Sequence, residues 1–230
     1  MRNLIIDLDA IAYNLDVMRQ RAGGVKVCGV VKANAYGHGM IEVARKLEEA
    51  GVDYLGVADV AEALELRRAG IDAPILAWLH DPHEMFVEAL NEGIELGLAN
   101  EDHLARVAAA AEITGRLARV HLKVDTGLNR NGASAAEWEG VLRQARGLVA
   151  EGFIQVVGIF SHLSSTGEAE DLAQIARFDA AVEQAREFGI KFELRHLTAS
   201  DGSLNYPQAH YEMVRVGVAH GRVRQVQQHR

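Results

Sequence analysis

The sequence predicts an α/β fold in which eight parallel strands alternate with helices and close into a barrel. Three observations lead there. Short apolar runs alternate with amphipathic helical stretches along most of the 230 residues. Runs such as Val156-Val157-Gly158-Ile159-Phe160 are apolar on both faces, the pattern of parallel strands covered on each side. The runs number eight, which favours a closed (β/α)8 barrel of the TIM type over an open doubly wound sheet.

In order, Leu4-Ile5-Ile6-Asp7-Leu8 reads as a short strand ahead of the barrel. Asp9 reads as the N-cap of a helix carrying Tyr13, Leu15, Val17 and Met18, which Gly23-Gly24 ends. The barrel runs are Val25 to Ala33, Tyr54 to Ala58, Pro74 to Leu79, Ile94 to Ala99, Leu117 to Val124, Ile154 to Leu163, Phe192 to Ala199 and Met213 to Ala219. Helical patterns fill the gaps: Met40 to Ala50, Ala61 to Ala69, Met85 to Asn91, Asp102 to Thr114, Ala135 to Ala150 and Ala169 to Phe188. Glycines 51, 70, 93, 115, 152 and 189 stand where these helices should stop in a left-handed cap. Between Ser200 and Tyr211 the beat breaks, and only a short helix fits.

At 49% hydrophobic the chain can bury a large core. Its one cysteine, Cys28, excludes an internal disulfide framework, suits a reducing cytoplasm and reads as a small core residue. A net charge of −8 without a basic block argues against nucleic-acid binding. No apolar stretch approaches the roughly 20 residues that span a bilayer, and charge comes too early for a signal peptide. The ten histidines show no metal-ligand spacing, and His80 and His83 read as solvated loop residues beside Pro82.

The residues with chemistry fall at the C-terminal ends of the runs, where such barrels place their sites. Lys32 ends the first, and a lysine at the mouth of a buried strand has the depressed pKa that an amine needs to attack a carbonyl. Tyr36, four residues on, offers a hydroxyl for an anion. Lys123-Val124-Asp125-Thr126-Gly127-Leu128-Asn129-Arg130-Asn131-Gly132 follows the fifth run, Ser161-His162 the sixth, and His196-Leu197-Thr198-Ala199-Ser200 the seventh. Arg215-Val216-Gly217-Val218 belongs to the eighth. Taken singly each has an ordinary reading: a rim histidine, a surface ion pair, a capped turn. Their common rim sets them apart.

Together with Val30-Val31-Lys32-Ala33-Asn34-Ala35-Tyr36-Gly37-His38-Gly39, these segments resemble the N-terminal barrel of alanine racemase, from about Ile5 to Gly221. The resemblance implies a pyridoxal 5'-phosphate enzyme interconverting L- and D-alanine through an aldimine on Lys32, which also serves as one base. It implies that Tyr36, Ser200 and the backbone of Gly217 and Val218 hold the phosphate. His162 would pack on the pyridine ring, Arg215 face the ring nitrogen, and Arg130 lie near the phenolic oxygen and the substrate carboxylate. Lys123 matches a position sometimes carbamylated, where the new charge would orient Arg130.

The sequence also departs from that pattern. The barrel reading takes residues 1–221, and the polar residues 222–230 read as a frayed tail with the family's C-terminal β-domain missing. That domain supplies the second base, a tyrosine, across the family's homodimer. Hence the expectation is a truncated racemase that binds cofactor but turns over poorly. Its leading strand would have an exposed edge that favours self-association. His220-Gly221 replaces a tyrosine-glycine pair, and Ala199 replaces an asparagine that would add a donor beside the phosphate. Two alternatives remain at this stage. One is a non-catalytic pyridoxal-phosphate homeostasis barrel. The other is an aldolase using Lys32 without cofactor.

Overall fold

In this computed structural model, which describes residues 5–84 and 86–217, the eight apolar runs become one parallel sheet. Its strands are β1 (Lys26–Val30), β2 (Tyr54–Val57), β3 (Ile75–Ala77), β4 (Glu95–Leu98), β5 (Ala118–Lys123), β6 (Ile154–Phe160), β7 (Leu194–His196) and β8 (Met213–Val216). The order is β7-β6-β5-β4-β3-β2-β1-β8, so sequence neighbours pair and the last strand returns beside the first. That is a barrel with one seam, between β7 and β8. There the Arg215 backbone N–H donates to Thr198 O at 3.0 Å, and further bonds from its side chain stitch the gap.

Helices cover the outside: α1 (Leu8–Arg21), α3 (Met40–Glu49), α4 (Val60–Arg68), α5 (Val87–Asn91), α6 (Glu101–Thr114), α7 (Trp138–Ala150) and α8 (Glu168–Glu187). Two short elements, α2 (Lys32–Gly37) and α9 (Ser200–Asn205), lie at the barrel mouth. Each long helix buries the stripe its spacing dictates: α7 puts Trp138, Val141, Leu142 and Ala145 inward. The six helix-ending glycines all adopt φ between 64° and 79°, the left-handed cap their positions require. Cys28 is fully buried, and burial pushes its thiol up to about 12, so it packs and does not react. No helix among the described residues is long and apolar enough to cross a membrane.

The N-terminus corrects the sequence reading. Residues 5–7 are not a strand, Leu8 already opens α1, and Leu4 lies outside the described residues. The cap is Asp7, whose Oδ1 accepts from Ala10 N at 3.0 Å, and Asp9 sits in the first turn. The local pattern Ile-Ile-Asp-Leu fits a strand, but a strand also needs a ladder partner, and the described barrel offers none. Residues 218–230, and with them Val218, His220-Gly221 and the polar tail, also lie outside the described residues.

Trp138 is 1% exposed and its Nε1 donates to Ala181 O at 3.0 Å, joining α7 to α8. Trp138→Ala should cost about 3–5 kcal/mol. A lowered urea midpoint with little change in slope is the expected readout.

Candidate functional site

The site begins where β1 ends. Lys32 opens α2, which is not an ordinary helical turn: Ala33, Asn34, Ala35 and Tyr36 have φ of 52–55° and ψ of 35–51°. This is one turn of left-handed helix, disfavoured by about 1–2 kcal/mol per residue for side chains with a Cβ. The surroundings hold it. Glu62 accepts from Ala33 N at 2.7 Å through one carboxylate oxygen and from Ala58 N at 2.8 Å through the other. Asn34 Oδ1 accepts from Met40 N at 2.8 Å. The turn sets Lys32 and Tyr36 on the wall of one cavity of about 660 Å³ at the C-terminal mouth of the barrel.

Tyr36 leans over Gly217. A Cβ at Gly217 would lie 2.9 Å from two ring carbons of Tyr36, so only glycine fits beneath it. Gly217 N donates to Ser200 Oγ at 3.2 Å. Three polar groups thus converge at one end: the Tyr36 hydroxyl, the Ser200 hydroxyl and the Gly217 amide. Burial pushes the Tyr36 phenol up, so it keeps its proton and can donate.

Arg215 is buried deeper. Its Nη1 donates to His196 Nδ1 at 2.9 Å and His196 O at 2.8 Å. Its Nη2 donates to Ser161 O at 2.7 Å, Leu197 O at 3.0 Å and His162 Nδ1 at 3.2 Å. No carboxylate pairs with it among the described residues. Burial pulls Arg215 down to about 10, still charged at neutral pH. Burial, then the Arg215 and Arg130 charges, pull His162 down to about 3, so its imidazole is neutral.

Two lysines share this field. Burial lowers Lys32, with the Arg130 charge adding to it. Lys123 is 5% exposed, and burial followed by the charges of Arg215 and Arg130 brings it to about 7. Its Nζ sits 5.5 Å from the centre of the Phe160 ring. Arg130 is exposed on the loop after β5, lines the cavity and pairs with no carboxylate among the described residues.

The cavity therefore gathers Lys32, Tyr36, Lys123, Arg130, His162, Ser200, Arg215 and Gly217. Sequence reasoning missed Glu62, which holds the left-handed turn. Its place three residues after the cap Asp59 looks like ordinary helix capping, and nothing local shows that it reaches Ala33. It also missed Trp78, Phe160, Asp201 and Leu204 on the wall. His80 is not solvated: its Nε2 donates to Gly97 O at 2.9 Å, it meets Phe86 edge-on, and burial pulls it down to about 3. His83 is exposed. No cluster of metal-ligating side chains occurs among the described residues.

Comparison with known proteins agrees with this architecture. The family model for the alanine racemase N-terminal domain matches residues 6–220. An alanine racemase from Thermobifida fusca is 44% identical over 217 residues, covering 93% of this chain and 58% of the relative. One from Beutenbergia cavernae is 44% identical over 218 residues, covering 94% and 58%. The crystal structure of alanine racemase from Streptomyces lavendulae superimposes with a TM-score of 0.91 at 40% identity, covering 94% of this chain and 57% of that one. The chain thus spans somewhat over half the length of the curated relatives it matches. On its sequence, its barrel and the residues gathered at the mouth, this chain belongs to the alanine racemase N-terminal domain family.

Proposed function

We propose that this chain is the pyridoxal 5'-phosphate-binding barrel of an alanine racemase. One observation carries the reading: a half-buried amine with a lowered pKa, Lys32, shares a cavity with one buried guanidinium and with two hydroxyls, Tyr36 and Ser200, gathered at the Gly217 amide. The donor set fits the cofactor. Tyr36, Ser200 and Gly217 would hold the phosphate with neutral donors, and the bare Cα of Gly217 leaves the room that Tyr36 needs. Val218, the fourth phosphate position of the reading, lies outside the described residues.

When bound, the cofactor supplies an electron sink that makes the amino acid's Cα proton removable. The rest is done by side chains. Lys32 would hold the cofactor through its aldehyde, with loss of water, and would accept and return a proton at Nζ. Its lowered pKa raises the fraction of neutral amine. Arg215 Nε–H, which meets no acceptor among the described residues, would donate to the ring nitrogen and keep it unprotonated. A weak sink favours returning the proton quickly, which suits racemisation over transamination. Neutral His162 offers a flat ring and an acceptor for Arg215, not a proton. Arg130, exposed beside the cavity, would take the substrate carboxylate. Lys123, which burial and the Arg215 and Arg130 charges bring to about 7, would add CO2 in its neutral form with loss of one N–H proton to water, and the carbamate would hold Arg130. The base for the opposite face comes, in this reading, from a second domain of a partner subunit in a homodimer. The reading places the protein in the cytoplasm.

Three outcomes test this. Titration with pyridoxal phosphate should produce a near-visible absorbance band and, after borohydride reduction, a mass adduct on Lys32; Lys32→Ala should abolish both. Tyr36→Phe and Ser200→Ala should each weaken binding about tenfold, the loss of one hydrogen bond to a charged group. A colourless mixture with the native chain would overturn the reading.

Racemisation of L-alanine by this chain alone should run roughly 10²–10⁴ below full-length relatives, the usual worth of one general base. Turnover equal to theirs would defeat the assignment of the second base to another domain. Binding with no racemisation at all would favour the homeostasis-barrel alternative.

Lys123 makes a pH prediction. Its folded pKa is about 7 against 10.5 for the ordinary amine, so between these values the unfolded chain binds more protons. Stability should therefore rise with pH across that window and level off below about 7. Lys123→Met should remove this part of the slope, at most about 1.4 kcal/mol per pH unit. Urea unfolding of both proteins at pH 7 and pH 9 reads it.

A further inference from the structure

Behind the cavity, a single chain of hydrogen bonds crosses the barrel interior. Glu95 on β4 has Oε2 2.8 Å from His121 Nε2 on β5. His121 Nδ1 is 2.9 Å from His196 Nε2 on β7. His196 Nδ1 is 2.9 Å from Arg215 Nη1 on β8. At the outer end Arg119 Nε donates to Glu95 Oε1 at 2.7 Å. Of these residues Glu95 and Arg215 are 4% exposed, and both imidazoles are fully buried.

The direction of every hydrogen follows. A guanidinium only donates, so His196 Nδ1 is bare. Burial, then the Arg215 charge, holds His196 well below its ordinary pKa; the ring is neutral and its one hydrogen is on Nε2. That hydrogen points at His121 Nδ1, which must then be bare, leaving the His121 hydrogen on Nε2. Glu95 requires the same arrangement. Burial raises its pKa, but the His121 and Arg119 bonds outweigh that and keep it an ionised acceptor. Both ends demand one tautomer.

The backbone is shaped to admit the chain. The β5–β6 pairing goes from Val120↔Val156 to His121↔Gly158 and skips Val157. A bulge of this kind re-aims a side chain. A Cβ at Gly158 would stand 2.9 Å from Leu194 O and 2.5 Å from His121 Nδ1, so the bare Cα makes room for the ring. His196 is fixed from the other side by Phe160, stacked at 4.7 Å and 11°.

We propose that Glu95 and His121 are positioning residues for Arg215: the carboxylate at one end of the relay reinforces the single tautomer that the guanidinium requires at the other, and the two buried imidazoles so held anchor Nη1 and leave Nε for the ligand in the cavity. The relay ends in a carboxylate two imidazoles away from the guanidinium, so no carboxylate needs to stand against Arg215 itself, where it would repel a phosphate or an amino-acid carboxylate. Only the identity of that ligand rests on the function proposed above.

The test uses the full chain labelled with 15N-histidine, without cofactor, and long-range 1H–15N correlation of the two buried rings. In the native chain both should carry hydrogen on Nε2 alone. Glu95→Leu removes the acceptor and should raise the Nδ1–H to Nε2–H ratio of His121 about tenfold, as for one lost buried bond to a charge. Glu95→Gln, whose carbonyl can still accept, should restore the native pattern. Gly158→Ala leaves every polar group in place but displaces His121, and should mix the tautomers if Glu95→Leu fails to fold. An Nδ1–H or doubly protonated ring in the native chain would overturn the proposal, as would an unchanged Nδ1–H to Nε2–H ratio in both Glu95→Leu and Gly158→Ala. With pyridoxal phosphate added, the absorbance maximum should shift in Glu95→Leu and not in Glu95→Gln. Failure of even the native chain to bind would count against the cofactor and leave the tautomer result standing.

Discussion

The buried guanidinium of Arg215 is the constraint around which the rest of this barrel is arranged. It closes the seam between β7 and β8 with its backbone N–H and with bonds to the carbonyls of His196 and Leu197. The same side chain forms part of the cavity wall. An ionised group buried without hydrogen bonds would cost several kcal/mol or more. Here three carbonyls and two imidazoles take the terminal N–H groups. Closure and site are therefore coupled: a change that moved Arg215 toward water would open the barrel and spoil the cavity together.

The left-handed turn at residues 33–36 shows a second coupling. A right-handed turn in the same place would carry the chain off on the opposite screw and part Tyr36 from Gly217. The cost of the observed conformation is spread over bonds from three elements: Glu62 on α4, Asn34 within the turn, and the first amide of α3. Strain of this kind persists only where the surroundings over-determine it, and it clusters at binding sites. Glu62 joins the amide beside Lys32 to the end of β2 through Ala58, so the amine is referenced to the sheet and not to a loose loop.

Much of this was legible in the sequence. Strand and helix periodicities are local properties, and the positive φ of the six capping glycines follows from where each helix must stop. The rim residues were legible because strand ends in a barrel converge. What was not legible depended on partners distant in sequence. Asp7 and Asp9 are both plausible caps, and only the backbone chooses Asp7. Glu62 reads as a capping residue until Ala33 is seen beside it. His121 and Glu95 sit in apolar runs as isolated polar positions, and no local rule says that they meet each other, His196 and Arg215.

The electrostatics decide what such a cavity can hold. The chain carries a net charge of −8, yet its cavity is lined by Lys32, Lys123, Arg130 and Arg215 against the single carboxylate of Asp201. Four cationic side chains around so small a volume repel one another. Part of that repulsion appears as the lowered pKa of both lysines, where the arginine charges add to burial. An anion entering the cavity relieves it twice, by pairing with the charges and by letting the lysines hold protons at less cost. A ligand with two anionic ends and an aldehyde between them satisfies the most groups: one end meets the neutral donors of Tyr36, Ser200 and Gly217, and the rest lies among the cations. Relays such as Glu95–His121–His196 matter for the same reason. They give the arginine a neutral acceptor from behind, so the front of the cavity keeps its positive field for whatever binds there.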